Sequence, residues 1–250
     1  MRFGIVGFGR FGRLWAEALT AFGEVLVYDL HTPPDIAQNN ITVASLQDVA
    51  SAEMVFLLVP ISAFKQTCES IKPYLGKETV VIDGCSVKVY PAKLMQTIFS
   101  ATQPLIATHP LFGPDSVKQN KGLKGLNIVV CPLQGASHYQ THLVSLLKEM
   151  QLNILLSTPE DHDKQMARSQ ALVHFIGRGL SSLALAPQAL ATPDFQALLH
   201  INSMVMHDSW QLFLDMHRYN PYTKDVRKKF IAQLLQVQEH IEAENIDDYH

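Results

Sequence analysis

Cysteine is scarce in this chain. Cys68, Cys85 and Cys131 are the only three in 250 residues. An odd, widely spaced set excludes a disulfide framework and offers no metal-ligand spacing, so no metal is expected. Neither sign of charge is in excess: 20 Lys and Arg stand against 23 Asp and Glu, a net of −3. That balance excludes a basic nucleic-acid footprint and a like-charge tail. No hydrophobic run approaches the roughly 20 residues that a membrane span requires. The opening residues, MRFGIVGFGRFG, lack the apolar core and small-residue cleavage site of a secretory signal. Neither a nucleic-acid nor a membrane partner is expected, and the location is expected to be cytoplasmic. Internal repeats and low-complexity segments are absent too.

The chain does have apolar material in short runs. Its 47% hydrophobic content is enough for one large domain or two modest ones. Residues 2–7, 24–29, 54–59 and 79–83 read as buried strands, and 105–108, 126–131 and 152–157 as further ones. Helical spacing fills 10–22, where Phe11, Leu14, Trp15, Ala18 and Leu19 share one side, and also 45–50, 61–73 and 136–150. Short apolar strands alternating with helices indicate an α/β fold, a doubly wound parallel sheet of Rossmann type. Past Thr158 no strand is expected. Thr158-Pro159-Glu160-Asp161 reads as a helix start, with a threonine cap, proline in the first turn and acids where the helix dipole favours them. Long helices are expected over 160–186, 194–216 and 222–243, punctuated by Pro187, Pro193 and Pro221. The division is drawn at 157: a dinucleotide-binding domain over 1–157 and an all-helical domain over 158–250.

The cofactor site reads from two features. Gly7-Phe8-Gly9-Arg10-Phe11-Gly12 follows a strand and opens a helix with GxGxxG spacing. Gly7 makes the tight turn, Gly9 admits a pyrophosphate close to the backbone, and Gly12 lets helix and strand pack closely. The helix N-terminus offers N–H groups and partial positive charge to the phosphates. Asp29 closes the second strand, where a carboxylate accepts hydrogen bonds from the adenosine ribose and repels a 2′-phosphate. NAD is therefore expected over NADP. Asp29 could instead cap its own turn, and Arg10 could pair with a phosphate.

Two segments after strands carry reactive side chains. One is Asp83-Gly84-Cys85-Ser86-Val87-Lys88. The other is Thr108-His109-Pro110-Leu111-Phe112-Gly113-Pro114-Asp115-Ser116, in which the prolines restrain the loop that holds a histidine. In open α/β sheets ligands bind outside the carboxyl ends of strands. His109 alone could be a surface residue, and Ser86 could cap a helix starting near Val87. His162 reads as structural, near a helix start.

Together GxGxxG, D-x-x-S-x-K and H-P-x-x-G-P resemble the prephenate and arogenate dehydrogenases of tyrosine biosynthesis. So do Glu160-Asp161-His162-Asp163 and Ser169-Gln170-Ala171-Leu172-Val173-His174. The resemblance runs from about residue 2 to residue 235. It implies an NAD-dependent oxidative decarboxylation of prephenate to 4-hydroxyphenylpyruvate, with hydride leaving ring C4 as the ring carboxylate departs as CO2. It gives His109 the position of the base that takes the C4 hydroxyl proton, and Ser86 that of the serine orienting this hydroxyl. Gln170 and His174, four apart on one helix face, fall on the face that lines the substrate cavity. A homodimer through the helical half is implied as well. One departure stands out: where many members carry a carboxylate-binding arginine, this chain has His200, with Arg178 a candidate substitute. Arogenate-using members carry an aspartate at the position aligned with Cys131, so prephenate is expected over arogenate, unless Asp115 reaches the pocket instead. The rivals are an arogenate dehydrogenase, a hydroxyacid or imine reductase of like architecture, and a non-catalytic NAD-binding protein.

Overall fold

In the computed structural model, which describes residues 1–31, 40–135 and 137–243, the chain divides into two compact units, Met1–His162 and Asp163–His250. The first unit is built on one eight-stranded sheet. Its strands are β1 (Arg2–Val6), β2 (Glu24–Tyr28), β3 (Ile41–Val43), β4 (Met54–Leu57), β5 (Val80–Asp83), β6 (Leu105–Pro110), β7 (Asn127–Gln134) and β8 (Asn153–Leu156). They lie in the order β3-β2-β1-β4-β5-β6-β7-β8. Helices α1 (Arg10–Leu19), α2 (Leu46–Ala50), α3 (Ile61–Ile71), α4 (Val89–Ile98), α5 (Pro114–Asn120) and α6 (Ser137–Glu149) connect them. The central strands carry no polar alternation because both faces are covered. β4 and β5 are buried at every position, as expected of parallel strands between helical layers.

Two features depart from the expected sheet. β3 is additional, a three-residue edge strand paired with β2 and too short to leave a periodic signal. β7 runs antiparallel to β6, and β8 follows β7 in parallel, so the sheet is mixed at this edge. The connection explains the reversal. The seven residues of α5 span only about 10 Å at 1.5 Å per residue, whereas the six residues of β6 run about 20 Å. A helix that short does not carry the chain back across the sheet, so β7 starts at the edge where β6 ends. The strand β6 also runs longer than expected: His109 and Pro110 pair with Val129 and Ile128 rather than opening a loop. Residue 136, expected to begin the helix after β7, lies outside the described residues.

The second unit is helical. α7 (Pro159–Arg168) crosses the division, and α8 (Gln170–Ser181), α9 (Pro193–Met206), α10 (Trp210–Tyr219) and α11 (Thr223–Ala243) follow. The first two of the three long helices expected here are each broken in two. At Ser169 the backbone leaves helical geometry (φ −108°, ψ −88°), while its hydroxyl donates to Gln165 O at 2.8 Å, a local bond that competes with the helix. At Ser209 the side chain caps α10 by accepting from Leu212 N at 3.1 Å, which restarts the helix after a short turn. Among the described residues no helix is long and apolar enough to cross a membrane.

Candidate active site

The glycine loop sits between β1 and α1. Gly7 has φ +102°, a region that strains any residue with a Cβ, and its N–H donates to Tyr28 O at 2.9 Å. A Cβ on Gly12 would lie 2.1 Å from Gly7 O, whereas one on Gly9 would meet nothing within 4 Å. The first glycine makes the turn, the third lets α1 approach it, and the middle one leaves open space above the backbone. No side chain caps α1 at Gly9, and no acid stands in its first turn. Its leading N–H groups and positive dipole end therefore suit a phosphate. This is the donor set and the clearance that a dinucleotide pyrophosphate needs. The side chains of Phe8 and Phe11 turn inward: Phe8 is buried, and Phe11 packs on Trp15 and Phe112. Phe8 belongs to the hydrophobic core, and Phe11 packs against it partly buried.

Asp29, just beyond β2, reaches back to this loop. Its Oδ2 accepts from Phe8 N at 2.7 Å and its Oδ1 from His31 N at 2.9 Å. The carboxylate thus braces the loop and caps its own turn. Arg10 forms a two-pronged pair with Asp115 at 2.8 and 3.0 Å. Both side chains are about half exposed, so a phosphate would compete with Asp115 for this guanidinium.

The second cluster forms where β5 and β6 end side by side. Asp83, the last residue of β5, is fully buried, and so is Lys88. They form a short ion pair. Lys88 Nζ also donates to Thr108 O at 2.5 Å, Thr108 Oγ1 donates to Asp83 O at 2.7 Å, and Cys85 N donates to Asp83 Oδ1 at 2.7 Å. This network ties the 83–88 segment, which carries Ser86, to the strand residue just before His109. Ser86 is half-buried. It does not cap the following helix: α4 begins at Val89 after Lys88 and has no side-chain cap.

His109 is almost fully buried at the end of β6. Its Nδ1 lies 2.8 Å from His162 Nε2, and the rings meet edge to face at 5.0 Å. Among the described residues none hydrogen-bonds its Nε2. Burial, then the neighbouring His162 and Lys88, hold the imidazole pKa well below its ordinary value, so the ring is neutral at pH 7. His162, read from sequence as a structural residue, is instead the direct partner of His109. The one signal was its place in the Glu160–Asp163 stretch of the family pattern. Lys88 was quoted in a motif without a role, and its complete burial beneath the site is visible only in the fold.

Gln170 and His174 belong to the helical unit, on one face of α8. Gln170 is half-buried and opens the helix. His174 is buried, with Nε2 3.7 Å from Asp208 Oδ2 and no hydrogen-bond partner for Nδ1. Burial lowers its pKa against the pull of Asp208, and Arg178 lowers it further. Arg178, the next residue along that face, lies over the rings of Trp210 and Phe213 at 5.4 and 5.8 Å and donates to Asp208 O at 2.5 Å. His200 is exposed on α9. Cys131 lies fully enclosed in β7 opposite Ala107. No group of three or more His, Cys, Asp or Glu is placed to hold a metal ion among the described residues.

A mostly parallel sheet with an open glycine turn, followed by a helical unit, defines a Rossmann-type nucleotide-binding protein. Comparison with known proteins narrows this. Residues 36–156 match the family model described as prephenate dehydrogenase, nucleotide-binding domain. Residues 179–250 match the one described as TYRAAT1-like, C-terminal domain. The chain is 27% identical to arogenate dehydrogenase 1, chloroplastic, of Arabidopsis thaliana, over 92% of this chain and 38% of that protein. It thus spans well under half of that relative's length. Two solved structures share the fold. Synechocystis arogenate dehydrogenase has a TM-score of 0.70 and 20% identity over 97% of this chain and 94% of that one. Aquifex aeolicus prephenate dehydrogenase, in complex with hydroxyphenyl propionate and NAD+, has a TM-score of 0.75 and 18% identity over 96% and 90%. Residues 36–156 thus resemble the nucleotide-binding domain of prephenate dehydrogenases, and the chain as a whole is similar to the prephenate/arogenate dehydrogenases.

Proposed function

We propose that this chain is an NAD-dependent dehydrogenase that converts prephenate to 4-hydroxyphenylpyruvate and CO2. The observation that carries the reading is His109: a buried, neutral imidazole at a strand end, with Nδ1 held by His162 and Nε2 left for a substrate. The nucleotide-binding match and the NAD+ complex of the Aquifex aeolicus enzyme support the cofactor. Gly7, Gly9 and Gly12, the N–H groups of α1 and Asp29 would hold it. When bound, NAD accepts the hydride.

The protein's own part is to hold the substrate and move one proton. For Nε2 of His109 to accept the C4 hydroxyl proton, Nδ1 must carry the ring hydrogen and donate it to His162 Nε2. His162 therefore fixes both tautomer and ring plane. Ser86 orients the same hydroxyl from the adjoining strand end. The Asp83–Lys88–Thr108 network keeps Ser86 and His109 in register. Gln170 and His174 are the substrate contacts that the family resemblance implies for the helical unit.

The keto acid is favoured because an ammonium needs a paired acid when buried. Cys131 is neutral and enclosed, and the carboxylate of Asp115 is engaged by Arg10. A second reading, arogenate as substrate, is favoured by the likeness to the Arabidopsis enzyme and by the C-terminal match. The test is NADH formation with prephenate and arogenate side by side. A higher kcat/KM for prephenate is expected. A preference for arogenate moves the assignment to the second reading, and turnover of neither overturns both.

A further inference from the structure

Arg10 and Asp115 join two segments of the first unit that serve different ends. Arg10 is the first residue of α1, so its own N–H is among those that a pyrophosphate would meet. Asp115 stands in the first turn of α5, in the segment that follows His109. Their pair is the weaker kind of arginine–carboxylate contact. Nη2 alone spans both oxygens, at 3.0 and 2.8 Å, whereas the strong fork engages two guanidinium nitrogens. Both side chains are more than half exposed, so water screens the attraction. Nor is the pair needed to hold α5 on α1, because Phe11 packs on Phe112 with ring centroids 6.2 Å apart.

The head of α1 is otherwise clear of negative charge: it has no side-chain cap and no acid in its first turn. Two acids reach this place from elsewhere. Asp29 accepts from Phe8 N and stands where the ribose is expected. Asp115 has no such part, yet it engages the guanidinium carried by the first residue of α1. A guanidinium matches phosphate oxygens as well as it matches a carboxylate, and a pyrophosphate carries more negative charge than one carboxylate. The phosphate therefore wins Arg10, but only by breaking the pair with Asp115. Asp115 tolerates the loss, since the positive end of α5 favours an acid in its first turn. Cofactor affinity is lowered by the worth of the pair that is broken.

We propose that Asp115 is a built-in competitor of the cofactor phosphate for Arg10. It holds the guanidinium beside the glycine turn, yields it to the pyrophosphate on binding and takes it back as the cofactor leaves. Asp115 thereby sets cofactor affinity through Arg10 rather than by a contact of its own. The dependence is reciprocal by linkage. Removing the Asp115 charge tightens NAD, and bound NAD releases the carboxylate from Arg10 at the head of α5. The inference rests on the pyrophosphate lying at the Gly7–Gly12 turn, as read above, and not on the choice of substrate.

Isothermal titration calorimetry on the full chain, with NAD and with ADP-ribose, tests this without turnover. Asp115→Asn should tighten both ligands by about threefold, the worth of a surface ion pair. Arg10→Ala should weaken both by about tenfold, through loss of one charge-assisted bond. In the Arg10→Ala background Asp115→Asn should change affinity little, because nothing is left to compete for. Gly9→Leu checks the placement of the pyrophosphate. A Cβ there meets nothing within 4 Å, so the variant should fold, and its side chain should block both ligands. Normal NAD binding by Gly9→Leu removes the placement and the proposal with it. With Gly9→Leu blocked, an Asp115→Asn variant that binds NAD no tighter than the unmodified chain overturns the proposal alone. So does an equal gain from Asp115→Asn with and without Arg10, which would make the carboxylate a plain repulsive charge.

Discussion

In the first unit Phe3, Ile5, Trp15, Phe56, Ile82, Ile106, Val130 and Leu147 are enclosed in one continuous core. In the helical unit the buried apolar residues are Ala167, Ala171, Val205, Phe213 and Met216, while Leu183, Leu190, Trp210, Leu234, Leu235 and Ile241 are more than half exposed. Unsatisfied polar atoms divide in the same way. His174 Nδ1, Arg178 Nε and His217 Nε2 are buried without partners in the second unit, against Trp15 Nε1 in the first. A sheet covered on both faces completes its own burial, because every strand finds neighbours within the unit. A handful of helices presents more apolar surface than it can cover. The function proposed above puts proton chemistry in the first unit and substrate contact in the second.

The largest expected effect tests where the chemistry lies. His109→Asn should lower kcat by about 10²–10⁴, the usual worth of a positioned base, with NAD affinity nearly unchanged and Ser86→Ala costing less. His174→Ala should raise KM more than it lowers kcat. A near-normal kcat in His109→Asn, or a collapse of kcat in His174→Ala, would break the division.

Next in size is the buried pair under the site. Lys88→Met leaves the Asp83 carboxyl enclosed without its cation, at a cost of about 3–5 kcal/mol. The half-buried Arg178 should cost much less when changed to Met. Urea unfolding of the two variants compares them, and equal midpoints would remove the contrast.

Cofactor choice comes third. The unmodified chain should favour NAD over NADP by at least about tenfold in kcat/KM, equivalent to about 1.4 kcal/mol, and Asp29→Ser should shrink that margin. Equal rates with NADP would sink the role given to Asp29.

The smallest effect is on pH dependence, and it occurs in both units. Burial first of all lowers the pKa of His109, His174 and His217, the last to about 4. Their folded pKa values lie below the unfolded value of about 6.5, so the unfolded chain binds more protons between those limits. The stability they contribute is present above about pH 6.5 and is lost as pH falls. For His217 the window closes near pH 4. Thermal midpoints should decline from pH 7 to pH 4.5, and His217→Gln should flatten part of that decline. A midpoint that rises on acidification contradicts the sign.

The order of strands and helices in the first unit and the glycine turn were legible because their signals are local. A strand, three glycines and a helix start occupy residues 2–19, and the Gly7 and Gly12 geometry follows from backbone clearance within that one segment. Alternating short strands and helices carried the α/β class for the same reason. Helix breaks at Ser169 and Ser209 were harder, since a serine inside an apolar pattern reads equally as a solvent-facing residue. The direction of β7 depended on how far α5 reaches across the sheet. The histidine pair depended on more: His109 and His162 are 53 residues apart, and the spacing within each segment does not encode their meeting. Lys88 shows the same limit, because a lysine in a loop motif looks solvated until β5 and β6 close over it. The sequence by itself determined the elements, their class and the residue types available for chemistry. Which side chains touch, which are stripped of water and which apolar faces stay bare were decided by tertiary structure, because desolvation and long-range contact exist only once the strands are side by side.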